Sequence, residues 1–98
     1  MSYEFTELSA KFATIYDSNP TPEAGKVIGV QEDGVVYLRA SGGTEWYDVP
    51  NAQQSALMLF GATYVSSTEP SADSGEIWYD TESNEANVYY NNQFYTIQ

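Results

Sequence analysis

Gly75-Glu76-Ile77-Trp78-Tyr79-Asp80-Thr81 is the stretch whose reading decides the fold. A β-branched residue and two aromatics stand in a row, with glycine ahead and the polar run Thr81-Glu82-Ser83-Asn84 behind. That is a short strand between two turns. Side chains alternate across a strand, so Ile77 and Tyr79 face one way while Trp78 and Asp80 face the other. Each face then carries an aromatic, as expected of a strand lying between its own core and a neighbour.

Downstream, Val88-Tyr89-Tyr90 follows the Glu82-Ser83-Asn84 turn, and Phe94-Tyr95-Thr96-Ile97 follows Asn91-Asn92-Gln93. Short β-prone runs separated by Asn-, Gly- and Ser-rich turns predict an antiparallel meander. The same series stands about one half-chain earlier. Gly25-Lys26-Val27-Ile28 answers Gly75-Glu76-Ile77-Trp78, Val36-Tyr37 answers Val88-Tyr89, and Trp46-Tyr47-Asp48-Val49 answers Phe94-Tyr95-Thr96-Ile97. Phe12, Tyr16, Ser18 and Pro22 fall likewise on Phe60, Tyr64, Ser66 and Pro70. The changes of offset fall at Glu32-Asp33-Gly34, Ser41-Gly42-Gly43 and similar turns, where loops tolerate insertion. Pro20, Pro22 and Pro70 mark an exposed connection into the first meander strand of each copy.

The expectation is a mainly β chain of two tandem antiparallel β-meander modules, residues 1–50 and 51–98, the first a degenerate copy of the second. Asn51 to Gly61 interrupts the pattern with an N-cap candidate, good helix formers and a terminating glycine. A short helix there would present Ala52, Ala56, Leu59 and Phe60 on one face; an extended strand from Leu57 to Tyr64 is the rival. The corresponding segment Tyr3 to Lys11 carries a weaker helical signal.

Fourteen Asp and Glu oppose three Lys and Arg, for a net charge of −11. Nucleic-acid binding draws its affinity from cations neutralising phosphates, and Lys11, Lys26 and Arg39 cannot supply that footprint. Anionic membranes are excluded on the same ground. Met1-Ser2-Tyr3-Glu4-Phe5-Thr6-Glu7 has acids where a signal peptide carries basic residues, so the expectation is a protein made and used without secretion by its own signal.

The chain has no Cys and no His. The commonest zinc ligands, general base and neutral-pH switch are therefore missing, and Ser lacks its usual activating base. Asp80, Glu82 and Asn84 alternate like the start of a calcium loop, but Glu85 and Asn91 stand where Gly and a bidentate acid are needed, so they read as a polar turn. No feature brings two carboxylates into a buried site as glycoside hydrolysis would require. No cofactor, no metal and no catalysis are expected.

The feature with most functional content is the ring set Trp46, Tyr47, Trp78, Tyr79, Tyr89, Tyr90, Phe94 and Tyr95. Paired neighbours point to opposite faces, so one core cannot bury them all. At 98 residues a chain buries only about 60–65% of its unfolded surface, and contact with a partner supplies what it lacks. Trp46, Tyr47, Trp78, Tyr79 and Tyr89 are the candidate partner interface, in a protein expected to form a homo-oligomer.

With Asn84, Val88-Tyr89 and Phe94 behind it and Thr63-Tyr64-Val65-Ser66-Ser67-Thr68-Glu69-Pro70 ahead, the Gly75–Thr81 run resembles the small β-module of tailed-phage virion proteins. The match covers roughly residues 60–97; in the first copy Ile28-Gly29-Val30 stands where Trp78-Tyr79-Asp80 stands in the second. The resemblance implies a non-enzymatic structural protein of capsid-decoration, head-fibre or tail-fibre type. Its expected place is the virion, on the capsid surface, after assembly in the host cytoplasm, with the major capsid protein or other virion proteins as partners. The length and the lack of a repetitive shaft favour a capsid decoration protein. The alternative is a carbohydrate-binding module on a tail or head fibre, with rings such as Trp78 stacked on sugars.

Overall fold

The computed structural model describes residues 14–98. The chain is mainly β. Its strands are β1 (Ile15–Tyr16), β2 (Val27–Glu32), β3 (Val35–Ser41), β4 (Trp46–Asp48), β5 (Tyr64–Ser66), β6 (Ile77–Asp80), β7 (Glu85–Tyr90) and β8 (Gln93–Ile97), with helix α1 (Ala52–Phe60) between β4 and β5. They form one sheet in the order β1-β2-β3-β8-β7-β6-β5, and β4 pairs with β3.

The expected β class holds, but the two halves are not separate modules: they share one continuous, mixed sheet. β2-β3-β4 and β6-β7-β8 are antiparallel runs, but β1 pairs parallel to β2, β5 parallel to β6, and β3 parallel to β8. Parallel neighbours need a crossover. The Pro- and Ser-rich segments between Tyr16 and Val27 and between Ser66 and Ile77 are those crossovers. Their composition announced a loop and carried no sign of strand direction.

Matching hydrogen bonds recur in the two halves. The Gly25 N–H donates to the Ser41 carbonyl at 2.9 Å and the Gly75 N–H to the Tyr89 carbonyl at 2.7 Å. The Ser41 N–H donates to Lys26 O at 3.1 Å, and the Tyr89 N–H to Glu76 O at 2.9 Å. These bonds make Ser41, not Tyr37, the counterpart of Tyr89. Val36-Tyr37 and Val88-Tyr89 are alike in sequence but occupy different rungs of their meanders.

How the halves join follows from one proline. The Val49 N–H still bonds Leu38 O at 2.9 Å, but Pro50 has no N–H to extend that ladder along β3. Asn51 then turns the chain with φ 52° and ψ 52° into the helix. The edge of β3 beyond Leu38 is left open, and β8 takes it: Val35 pairs with Thr96, Val36 with Ile97, and the Gln98 N–H donates to Val36 O at 2.8 Å.

Of the helix and the extended strand, the helix forms, over Ala52–Phe60. Asn51 does not cap it with its side chain as expected; it is left-handed, and its carbonyl accepts the Ser55 N–H at 3.0 Å. Gly61 ends the helix with φ 74°, its N–H on Leu57 O. Ala52, Ala56 and Phe60 recur every fourth residue and are buried against Val36, Leu38, Ile77, Ala86, Val88, Tyr95 and Ile97. Leu59, expected on the same face, is half-buried at its margin. Small alanines let the helix lie close to the sheet, and each fully buried Ile, Leu or Val contributes about 1.5–3 kcal/mol.

The far face of the sheet is also closed in places. Ile28 and Val30 are almost wholly buried there, and Trp78 is 7% exposed. The first crossover and the end of β5 are held through indoles: Trp46 Nε1 donates to Pro20 O at 2.7 Å and Trp78 Nε1 to Ser66 O at 3.1 Å.

Candidate interaction surface

The run Gly75–Asp80 is spent on the fold, residue by residue. Gly75 is buried with φ 89°, a conformation that disfavours any side chain. Glu76 Oε1 accepts the Asp73 N–H at 2.7 Å and the Tyr64 hydroxyl at 3.1 Å, bracing crossover against edge strand. Ile77 fills the core. Asp80 closes the β6–β7 turn by accepting the Glu82 N–H at 2.9 Å and the Ser83 hydroxyl at 3.0 Å. Asn84 takes the left-handed position, with φ 58°. The carboxylate that alternates in calcium-loop fashion is thus a turn brace.

Of the five rings singled out, Trp78 and Tyr89 come together, through Phe94. The Phe94 ring stands edge-on to Trp78 at 5.1 Å and to Tyr89 at 5.0 Å. Trp78 is buried within the chain itself, so its ring is not open to a partner. Tyr79 points to the helix side, packs half-buried on the core margin, and places its hydroxyl 3.4 Å from Asn84 Oδ1. Trp46 lies on β4, half-buried and tied to Pro20. Tyr47, its neighbour, points the other way and is 55% exposed. The five do not form one surface.

Met58 at 70% and Val65 at 66% are more exposed than Tyr47. Neither belongs to the ring set. Val65 alternates with the half-buried Tyr64 and Ser66 on β5, and that alternation was available once the edge position was known. Met58 sits on the helix between Leu57 and Leu59, and helical spacing from Ala52 and Ala56 places it outward.

Arg39, one of three cations in the sequence, organises the far face of the first half. Its side chain is 12% exposed. Nε donates to Asp48 Oδ1 at 2.9 Å, the terminal nitrogens reach Glu32 at 3.2 and 3.4 Å, and a further bond ties Asn19 in the crossover. The guanidinium also lies 5.5 Å from the centre of the Tyr37 ring. Burial alone would lower its pKa, but hydrogen bonding and attraction from Asp48 and Glu32 outweigh that and raise it. The corresponding rung of the second half is neutral: Thr96 Oγ1 donates to Asn87 Oδ1 at 3.2 Å.

Three phenols are held above their ordinary pKa. Burial and then Glu76 raise Tyr64; burial and then Asp17 raise Tyr90; a hydrogen bond to Glu45 is the main cause at Tyr47. The Tyr90 hydroxyl donates to Asp17 Oδ2 at 3.1 Å, linking β7 to the start of the first crossover.

No helix among the described residues is long and apolar enough to cross a membrane. Comparison with family models, with curated proteins and with solved structures finds no match to the chain.

Proposed function

We propose that this chain is a non-enzymatic structural protein of a tailed-phage virion, a capsid decoration or cement protein that docks on the shell or on sister subunits. The observation that carries this reading is how the Gly75–Asp80 run is used. Backbone conformation, core packing, crossover bracing and turn closure consume Gly75, Glu76, Ile77, Trp78 and Asp80. A motif spent in this way is a building unit, in keeping with the virion module that the run resembles.

The docking surface is assigned to apolar groups the core does not need: Tyr47 on β4, Val65 on edge strand β5 and Met58 on the helix. Association gains from burying such groups, and turn carboxylates exposed to water add little. The sugar-binding alternative needs exposed rings such as Trp78 as stacking platforms, and Trp78 is 7% exposed.

Quantitative mass spectrometry of purified virions from the genome encoding the chain tests the reading. Peptides of this chain are expected in fixed ratio to the major capsid protein. Their absence from virions, with the protein abundant in the infected cell, would overturn it.

A further inference from the structure

We propose that Asp33-Gly34 is a site of spontaneous isomerisation to isoaspartate and that the Gln31 side chain guards it. This is the one Asp-Gly step in the sequence, and there is no Asn-Gly. Both residues are exposed at the tip of the β2–β3 hairpin, with φ of 55° and 80°. Glycine offers no Cβ to obstruct its own nitrogen. With the Asp33 carboxyl protonated, the Gly34 nitrogen attacks Cγ and gives up its proton. A C–O bond breaks, water leaves, and a five-membered imide closes. Water then reopens either carbonyl; opening at the α-carbonyl routes the main chain through the former side chain, with no net change of mass.

The structure restrains that attack. The Gly34 N–H donates to Gln31 Oε1 at 2.8 Å, which engages the proton the nitrogen must give up to attack. Gln31 is itself oriented, since its Nε2 donates to Asp17 Oδ1 at 3.3 Å. The rungs Gln31–Val36 and Glu32–Val35 fix the turn from below.

The position gives the modification a consequence. Val35 and Val36 follow the turn directly and are the two β3 residues that pair with β8. A two-residue turn has no slack for an extra backbone methylene. Isomerisation at Asp33 therefore loosens the joint between the two halves of the sheet.

The test is incubation of the folded chain and its Gln31→Ala and Gln31→Glu variants at mildly acidic pH, with isoaspartate at position 33 counted by peptide mapping. Gln31→Ala should accumulate it about three- to tenfold faster than the parent, the factor one net hydrogen bond is worth. Gln31→Glu keeps an acceptor for the Gly34 N–H but loses the bond that orients it and faces the Asp17 carboxylate, so its rate should fall between the parent and Gln31→Ala. Hydrogen exchange of the Gly34 amide on the same samples separates loss of this bond from general unfolding. Equal rates in parent and Gln31→Ala would overturn the proposal. So would earlier modification at Asp17-Ser18 or Asp73-Ser74 than at Asp33-Gly34.

Discussion

Arg39 Nε and Asp48 Oδ1 stand 2.9 Å apart across the β3–β4 rung, with the arginine almost enclosed and the aspartate 72% exposed. The asymmetry decides what each contributes. The arginine fastens two strands, the end of β2 and a crossover loop through one planar group. The exposed carboxylate is one of several replaceable acceptors.

Arg39→Ala should therefore cost about 1–2 kcal/mol, within the range for charge-assisted hydrogen bonds after allowance for solvent at the acids. Asp48→Ala should cost no more than about 0.5 kcal/mol. Arg39→Lys should recover little, because an ammonium cannot reach Asp48, Glu32 and Asn19 together. Urea titration reads all three as shifts of midpoint at constant slope.

Trp78 packs edge-on to Phe94 and ties β6 to the end of β5. Truncating a buried ring of this size costs about 3–5 kcal/mol, which is most of what a small domain possesses. Trp78→Ala should leave the chain largely unfolded in dilute solution. Trp78→Phe keeps a ring and loses the bond to Ser66 O, and should fold with a loss of about 1–2 kcal/mol. Circular dichroism on heating distinguishes the two.

Gly75→Ala should destabilise by about 1–3 kcal/mol, because a buried position at φ 89° must then carry a Cβ. Asn92→Gly, at φ 67° in the exposed β7–β8 turn, should change stability by no more than about 0.5 kcal/mol. Paired denaturant curves check the contrast.

Alkaline pH should weaken the fold. The raised phenols of Tyr64 and Tyr90 keep their protons in the native state at pH values where the unfolded chain has released them. Their contribution is complete below the ordinary tyrosine pKa of about 10 and is lost as pH rises through the higher native values. Melting temperature should therefore fall above about pH 10, and Tyr90→Phe together with Tyr64→Phe should flatten the fall.

Much of this architecture was legible in the residues. Ile77-Trp78-Tyr79, Val88-Tyr89 and Phe94-Tyr95 carry strand propensity between turns, and Ala52, Ala56 and Phe60 carry a helical period. What escaped was set by contacts far apart in sequence. Parallel pairing of β1, β5 and β8 depends on where crossovers lead, and β-propensity is the same in either direction. Trp78 and Tyr47 look alike as exposed-or-buried candidates until the end of β5 at Ser66 is seen bonded to one while the other stays 55% exposed among the described residues. Arg39 gave no local signal, since its partners Asn19, Glu32 and Asp48 come from three other segments.

The adhesive role assigned to the exposed apolar groups is tested most directly by mass photometry of the purified chain, alone and mixed with undecorated phage shells. The parent should load the shells to a fixed mass increment. Tyr47→Asp, which alters an exposed side chain and leaves the melting temperature unchanged, should load them much less. A chain that stays monomeric and leaves the shell mass unchanged would contradict the account.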